Sequence, residues 1–361
     1  MAIKKAISIL LKVLITIPLF LCLLCCFLPW VSHPALWWIS MLGLAYPFLL
    51  AYLIIFLIVL AFKRSKLFWL GLVLLLISTQ QIFSLLGFSL SGDQSTTTPA
   101  FKVISWNVSR WDERNKEKRG GESYRKKMFA FIEQENADVL CLQEFFECHD
   151  PKYFESNIPA LKKLGYPYYH FYPSFELFNG SFQYGLAIFS KHPILESKSF
   201  PNAAKIHSEG LVYVDINING KILRVFNSHL ESPGLGKNDL GKEGQAKLNR
   251  TVFQKVKNAY QYRNIQAELA IKEIKASTVP TIHATDLGDV PNSYAYFTVK
   301  GEMNDLFLKK GLGLGATYRF IAPTVRIDYL FASKQLTINK FQVVDLPYSD
   351  HRPLVGVFSI N

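Results

Sequence analysis

The sequence predicts a chain in two parts: three membrane-spanning helices, then an α/β domain of mixed β-sheets covered by helices. Three observations lead there. Residues 1–92 contain no Asp or Glu and are largely apolar. A polar run, Ser91 to Pro99, then breaks the composition. Beyond it, strand-like and helix-like segments alternate, with hairpins and strand–helix units mixed together.

The apolar stretches run over Val13–Val31, Ala35–Phe62 and Leu67–Leu90. Each reaches the roughly 20 residues that a helix needs to cross a bilayer. A cleaved leader accounts for one such stretch but not for three in succession. Pro18 and Pro29 are tolerable in membrane helices, and Trp30, Trp37, Trp38 and Trp69 lie near the ends, where interfacial aromatics sit. Lys4, Lys5 and Lys12 precede the first span, and Lys63, Arg64 and Lys66 join the second to the third. The loop Ser32-His33-Pro34 has no Lys or Arg. Basic loops stay in the cytoplasm, so the third span delivers the rest of the chain to the opposite side. In a bacterium this means a multi-pass inner-membrane protein with a periplasmic domain, in contact with the bilayer through residues 13–90. Gln80 and Gln81 in the third span are read as packing against the other spans.

The expected divisions are an anchor over 1–92, a linker over 93–100 and a folded domain over 101–361. The whole chain has net charge +12. The six basic residues of the anchor account for half of it, which leaves the remainder mildly basic. That suits a phosphate-bearing substrate and is no sign of nucleic-acid binding by itself. The five cysteines do not form a disulfide scaffold. Cys22, Cys25 and Cys26 lie in an apolar run with no metal-ligand spacing, and Cys141 reads as a buried strand residue.

In the folded domain, Phe101–Val108 alternates as a strand ending near Asn107. Arg110–Arg119 is charged and reads as a solvated loop. Tyr124–Gln134 has apolar residues at helical spacing. Ala137–Glu144 is a buried strand closed by Gln143-Glu144. Glu is disfavoured inside strands, so Glu144 at a strand end points to a ligand. Gly185–Ser190 is another strand. Leu211–Ile216 and Lys221–Phe226 flank an Asn-Gly hairpin turn, and the second runs on into His229. Arg250–Lys275 is a long amphipathic helix. Strands are expected over Pro280–Ala284, Val325–Phe331, Phe341–Val344 and Leu354–Phe358. No short-period repeat is present.

Polar residues gather at the expected strand ends: Asn107, Glu144, His229, Asp286, Asp328, Asp350 and His351. Ends of neighbouring strands converge in space. Together these groups suit hydrolysis of a phosphate ester. A hard divalent cation takes oxygen ligands, which Glu144 and Asn107 offer. Two histidines add positive charge and move protons, and Asp328 beside a histidine fixes its tautomer.

The ordered motifs Ser-Trp-Asn-Val, Leu-Gln-Glu, Ser-His-Leu-Glu-Ser, Thr-Asp-Leu-Gly-Asp-Val-Pro-Asn-Ser, Arg-Ile-Asp-Tyr and Ser-Asp-His-Arg-Pro resemble the endonuclease/exonuclease/phosphatase superfamily over nearly all of 101–361. The three-span start resembles its membrane-tethered bacterial members. The resemblance implies a four-layer sandwich, two mixed sheets face to face with helices outside. It implies Mg2+ as cofactor, with Mn2+ as a substitute. Glu144 is then the main metal ligand, with Asn107 near metal and phosphate and Asp350 supporting the metal. His351, oriented by Asp328, contacts the phosphate or activates water. His229 is the second catalytic histidine, and Asp286 orients or deprotonates the attacking water. The substrate is a phosphate ester, either nucleic acid or phospholipid or sugar phosphate, and no protein partner is inferred.

One departure stands out. Where the superfamily has Gly-Asp-x-Asn, this chain has Thr285-Asp286-Leu287-Gly288. Loss of one preorganised donor costs about 10²–10³ in rate. The leading expectation is therefore a tethered, metal-dependent phosphodiesterase, nuclease or phosphatase acting outside the cytoplasm, with reduced activity. The alternative is a catalytically impaired binding module of the same fold. Asn restored at 288 is expected to raise the rate.

Overall fold

A computed structural model of the chain describes residues 2–89, 99–201, 210–234, 250–320 and 323–360. Most of the expected linker lies outside the described residues.

The chain opens with apolar helices, Ala2–Cys25, Leu42–Phe62, Leu67–Ile77 and Thr79–Leu85. Two segments, Ile3–Cys25 and Pro34–Phe62, are long and apolar enough to cross a membrane. The third expected span is a helix pair bent by 55° at Ser78. The first helix begins and ends earlier than its apolar run suggested, because Leu28–Trp30 turns off as a separate short 3-10 helix led by Pro29. Gln81 is buried and donates to the Cys26 carbonyl at 2.8 Å, so it joins the third helical segment to the first. Leu28, Tyr46, Leu50, Leu53, Leu57 and Leu85 form the core of this helical group.

The domain that follows is built on two six-stranded sheets. The first contains β2 (Ala100–Asn107), β3 (Val139–Cys148), β4 (Tyr168–Leu177), β5 (Phe182–Ser190), β13 (Leu336–Val343) and β14 (Leu354–Ile360), in the order β13-β14-β2-β3-β5-β4. The second contains β6 (Ile194–Phe200), β7 (Gly210–Ile218), β8 (Lys221–His229), β9 (Thr281–Asp286), β10 (Asn304–Asp305) and β12 (Asp328–Ala332), in the order β10-β12-β9-β8-β7-β6. A small third sheet pairs β1 (Gly87–Phe88) with β11 (Leu312–Gly313) and ties the end of the apolar helices to the domain.

Each large sheet has one parallel pair, β2 with β3 and β8 with β9, among antiparallel ones. The inward faces meet through Val103, Val139, Ile188, Val214, Val225 and Ile282. Outside the first sheet, Met128, Phe131 and Ile132 of the helix Arg125–Glu135 pack on Ile104, Trp106 and Leu142. Outside the second, Ala267, Ala270 and Ile271 of the helix Arg250–Lys275 pack on Phe226 and Tyr213. Helix, sheet, sheet, helix is the four-layer α/β arrangement expected.

Several local expectations change. The segment after Asn107 is solvated only in its second half, where Arg114 and Glu117–Arg119 are exposed. It forms 3-10 turns in which Trp111 is fully buried against Phe129 and Phe145, while Asp112 accepts from Asn115 and the Tyr124 backbone. Glu144 is not at a strand end: β3 continues to Cys148, and its register with β5 shifts between Leu142 and Phe145. At that bulge Glu144 has φ +48°, a left-handed conformation that a non-glycine residue adopts at a cost. Asp328 starts a strand instead of lying within one, yet antiparallel pairing puts it directly across from Asp286.

Candidate active site

Strand β2 of the first sheet ends at Asn107, and the parallel strands β8 and β9 of the second end at His229 and Asp286. His229 and Asp286 are register partners, as are Asp328 and Asp286. Strand pairing alone therefore lines up three site residues along the rim of the second sheet.

The first sheet reaches the same point. Asn107 Nδ2 donates to Asp286 Oδ2 at 2.8 Å. Asn107 Oδ1 accepts from the Ser109 N–H at 2.9 Å, which fixes the amide's orientation. A second bridge lies one layer below, where Gln143 Nε2 donates to Asn227 Oδ1 at 2.6 Å. Asn227 Nδ2 in turn donates to the Leu142 and Ala187 carbonyls. These buried amides hold the sheets in register just beneath the rim.

His351 follows the turn before β14. Its Nδ1 lies 2.9 Å from Asp328 Oδ2 and 3.0 Å from Oδ1. Asp286 Oδ2 is 3.7 Å from His351 Nδ1 and 3.6 Å from His229 Nε2. All four groups are buried. Both backbone N–H groups of Ile327 and Asp328 donate to Thr317 Oγ1, which anchors the start of β12.

The charges follow from this packing. Burial alone would lower His351, but Asp328 and Asp286, with Asp350 behind them, hold it protonated well above the usual histidine value. Burial alone would raise Asp286; His351, His229, the Asn107 amide and the Gly288 N–H outweigh it and hold the carboxyl below its usual value. Burial raises Asp328, against the lowering pull of His351. Asp328 and His351 therefore share one proton, carried on the imidazole that donates to the carboxylate. Asp286, Asp328 and His351 present ligand atoms within 4.8 Å of one another. Both oxygens of Asp328 face His351 Nδ1, at 3.0 and 2.9 Å.

Glu144 and Asp350 sit at the mouth. Glu144 Oε2 lies 3.5 Å from Arg110 Nε, and the Arg110 guanidinium stands over the Tyr184 ring. Asp350 Oδ1 accepts from Ser349 Oγ at 3.2 Å, and Ser349 Oγ also reaches the Asn107 carbonyl at 2.7 Å. The Tyr318 ring lies against His351, tilted by 60° with centroids 4.9 Å apart, and bridges it through the backbone. Burial pushes the Tyr318 phenol up, and so do the carboxylates of Asp350, Asp286, Glu144 and Asp328. One side chain thus feels the charge of all four acidic site residues.

Glu144, Asp350 and the remaining lone pair of Asn107 Oδ1 are all hard oxygen donors, which fits a divalent cation such as magnesium.

Gly288 has φ +64°, and its N–H donates to Asp286 Oδ1 at 3.0 Å. A Cβ there would meet the Glu231 carbonyl at 3.3 Å and Arg263 Nε at 3.5 Å. Glycine suits this turn and still supplies Asp286 with a donor. Asn292 does not fill the missing amide position: it is buried against Gly43 of the apolar helices.

Sequence reasoning missed Tyr318, Thr317, Arg110 and Arg263. Arg263 Nη1 pairs with Asp289 at 2.9 Å, and its Nε donates to the Glu231 carbonyl at 2.9 Å. It therefore clamps the loop after His229 to the loop after Asp286. An Arg on the buried face of an amphipathic helix was the available signal. A cleft of about 610 Å³ lies at the other end of the second sheet, lined by Lys275, Thr281, Lys300 and Lys334. It shares no residue with the rim cluster.

No curated protein matches the chain. Among solved structures, it is similar to an endonuclease/exonuclease/phosphatase from Beutenbergia cavernae at TM-score 0.52 and 20% identity, covering 73% of this chain and 72% of that one. The human nocturnin catalytic domain with bound sulfate aligns at TM-score 0.51 and 18% identity, over 75% of this chain and 97% of that one. A Bacteroides vulgatus endonuclease/exonuclease/phosphatase aligns at TM-score 0.51 and 17% identity, over 73% and 100%. At such identities the likeness is one of fold. Residues 5–85 match a domain of unknown function (DUF8431). Residues 104–351, more than half of the chain, match the Endonuclease/Exonuclease/phosphatase family, and the chain belongs to that family of phosphoester hydrolases.

Proposed function

We propose that the chain is a membrane-tethered, divalent-metal-dependent hydrolase of phosphate esters that works outside the cytoplasm. The carrying observation is the buried group of Asn107, His229, Asp286, Asp328 and His351, in which two imidazoles face one depressed carboxylate.

Asp286 is ionised and oriented by Asn107 and the Gly288 N–H, as a base for an attacking water must be. His351, protonated and held by Asp328, donates to a phosphoryl oxygen or to the leaving oxygen. His229 supplies a second donor from the other side of Asp286. Glu144, Asn107 and Asp350 would hold magnesium. When bound, such an ion polarises the phosphoryl group and stabilises the leaving oxygen.

Gly288 does not by itself favour an impaired binding module, since its N–H still serves Asp286. The tether is supported by two helices of membrane-crossing length and a bent third segment. The basic residues around them favour a periplasmic domain. A reporter enzyme active only in the periplasm, fused at the C-terminus, checks the side; an inactive fusion contradicts it.

The function is tested by assaying the full chain with magnesium against bis(p-nitrophenyl) phosphate, DNA and phospholipids. Turnover of at least one, lost on His351→Ala and Glu144→Ala, supports the reading. Failure on all of them, or turnover indifferent to both changes, contradicts it.

A further inference from the structure

The apolar helices do not dock at random on the folded domain. Their contacts lie at the rim that carries the site. Val290 and Asn292, in the loop directly after Asp286, face Gly43 closely enough that a Cβ there would meet them at 2.9 and 3.0 Å, with Leu28 at 3.6 Å. Arg326, two residues before Asp328, is buried, pairs with Asp305 at 2.7 Å and donates to the Ser84 carbonyl at 2.6 Å. β11, which leads to Thr317 and Tyr318, pairs with β1. The helix Arg250–Lys275 adds Asn264 on the Val31 and Ser32 carbonyls, Gln261 on Pro34, and Phe253 against Trp37 at 4.6 Å.

These partners are the ends of the helices that point toward the domain: after Cys25, before Leu42 and at Leu85. The Asn219-Gly220 turn and Ser333 lie at the far ends of strands whose near ends are His229 and Asp328. The strand axis therefore runs from that remote end toward the helices, and the site lies at the near end.

The first sheet adds an apolar tip in the same direction. β3 passes Glu144 and continues to Cys148, where it pairs with Phe182. The hairpin turn beyond carries Phe178, 71% exposed, beside Phe175 at 57%, with Tyr153 at 63% against Phe182. Aromatic side chains of this kind settle at the headgroup level of a bilayer. Between 109 and 127, directly after Asn107, eight basic residues stand against four acidic ones. Of these, Arg110, Arg119 and Arg125 pair with Glu144, Asp112 and Glu155, and the charge that remains is positive, as suits an anionic ester.

We infer that the catalytic rim faces the bilayer that holds the helices, and that its substrate is a phosphate ester in a lipid headgroup, with the Phe175–Phe182 hairpin entering the interface. This rests on the phosphoester-hydrolase reading above. In the reaction, water oxygen bonds to phosphorus and one P–O ester bond breaks. Asp286 takes the water proton and a histidine protonates the leaving oxygen, so one water is consumed per bond.

The test uses the full chain in vesicles of phosphatidylcholine, phosphatidylethanolamine and phosphatidylglycerol, with soluble bis(p-nitrophenyl) phosphate assayed in parallel. The expected result is cleavage of a headgroup ester that Phe178→Asp lowers about tenfold, while the soluble ester is cleaved within about twofold of the parent rate. Phe178→Leu keeps both activities. Cleavage of the soluble ester with none of the three lipids touched overturns the inference and leaves the hydrolase reading standing. So does an equal loss of both activities in Phe178→Asp, or single-stranded DNA in bulk cleaved faster than every lipid. No cleavage of any substrate overturns both.

Discussion

Asn107 and Asp286, 179 residues apart in the chain, share a 2.8 Å hydrogen bond that joins the rims of two different sheets. The bond links β2 to β9 and places the amide of one sheet against the carboxylate of the other, the proposed base. Removing the amide leaves a buried carboxylate with one fewer donor. Asn107→Ala is expected to lower kcat by about 10²–10³ and stability by about 1–3 kcal/mol. Asn107→Asp puts a second carboxylate against Asp286, so the limb of the pH–rate profile that reports the base should move to higher pH. An unchanged profile in Asn107→Asp would show that Asp286 is not the base.

Asp328 is the group that keeps His351 charged. In Asp328→Asn the raised pKa of His351 collapses toward or below its usual value. The imidazolium then survives only at lower pH. The rate at neutral pH should fall by about 10²–10⁴ and recover in part on acidification. A loss independent of pH would assign Asp328 a packing role only.

His283 tests the fold rather than the reaction. It is fully buried in β9, accepts from or donates to Ser228 through Nε2, and burial takes its pKa from 6.5 down to about 3. The unfolded chain therefore binds a proton that the folded chain refuses between pH 6.5 and about 3. Stability falls as pH drops through that window, by up to about 1.4 kcal/mol per unit. Melting of the protein in detergent at neutral and mildly acidic pH should show the drop, and His283→Gln should reduce it. Equal drops in both would place the acid sensitivity elsewhere.

Arg263 and Asp289 form a buried ion pair, and Arg263 also holds the Glu231 carbonyl, so it joins the loop after His229 to the loop after Asp286. Arg263→Met strands Asp289, which burial already raises, and should cost about 3–5 kcal/mol. Replacing both, Arg263→Met with Asp289→Leu, should restore most of the stability but not the rate, because the clamp on the Glu231 carbonyl remains absent. A double variant as active as the parent would remove Arg263 from the site's support.

Much of this was legible in the sequence where local chemistry decides the outcome. The Asn219-Gly220 turn has φ +51° and +85°, as an Asn-Gly hairpin requires, and the helix Arg250–Lys275 ends where its periodicity does. Asn107, His229 and Asp286 meet at the rim because β2, β8 and β9 end there, where the parallel pairing of β2 with β3 also stops. The edge strands β4 and β6 were not legible. β4 holds Pro173 with a register shift beside it, tolerable only at an edge, and β6 is mostly exposed. Glu144 looked like a strand end because a bulge interrupts the pattern there. Tyr318 and Arg263 gave little sign, since their roles come from contacts made only when distant segments meet.

The central claim is that these residues turn over a phosphate ester with the help of a divalent ion held by Glu144. Its most direct test is a magnesium titration of bis(p-nitrophenyl) phosphate hydrolysis by the full chain after chelation. The account predicts no turnover without metal, saturable recovery with magnesium, and a maximal rate in Glu144→Gln reduced by about 10²-fold or more. Turnover that persists in chelator, or that Glu144→Gln leaves unchanged at every magnesium concentration, would contradict it.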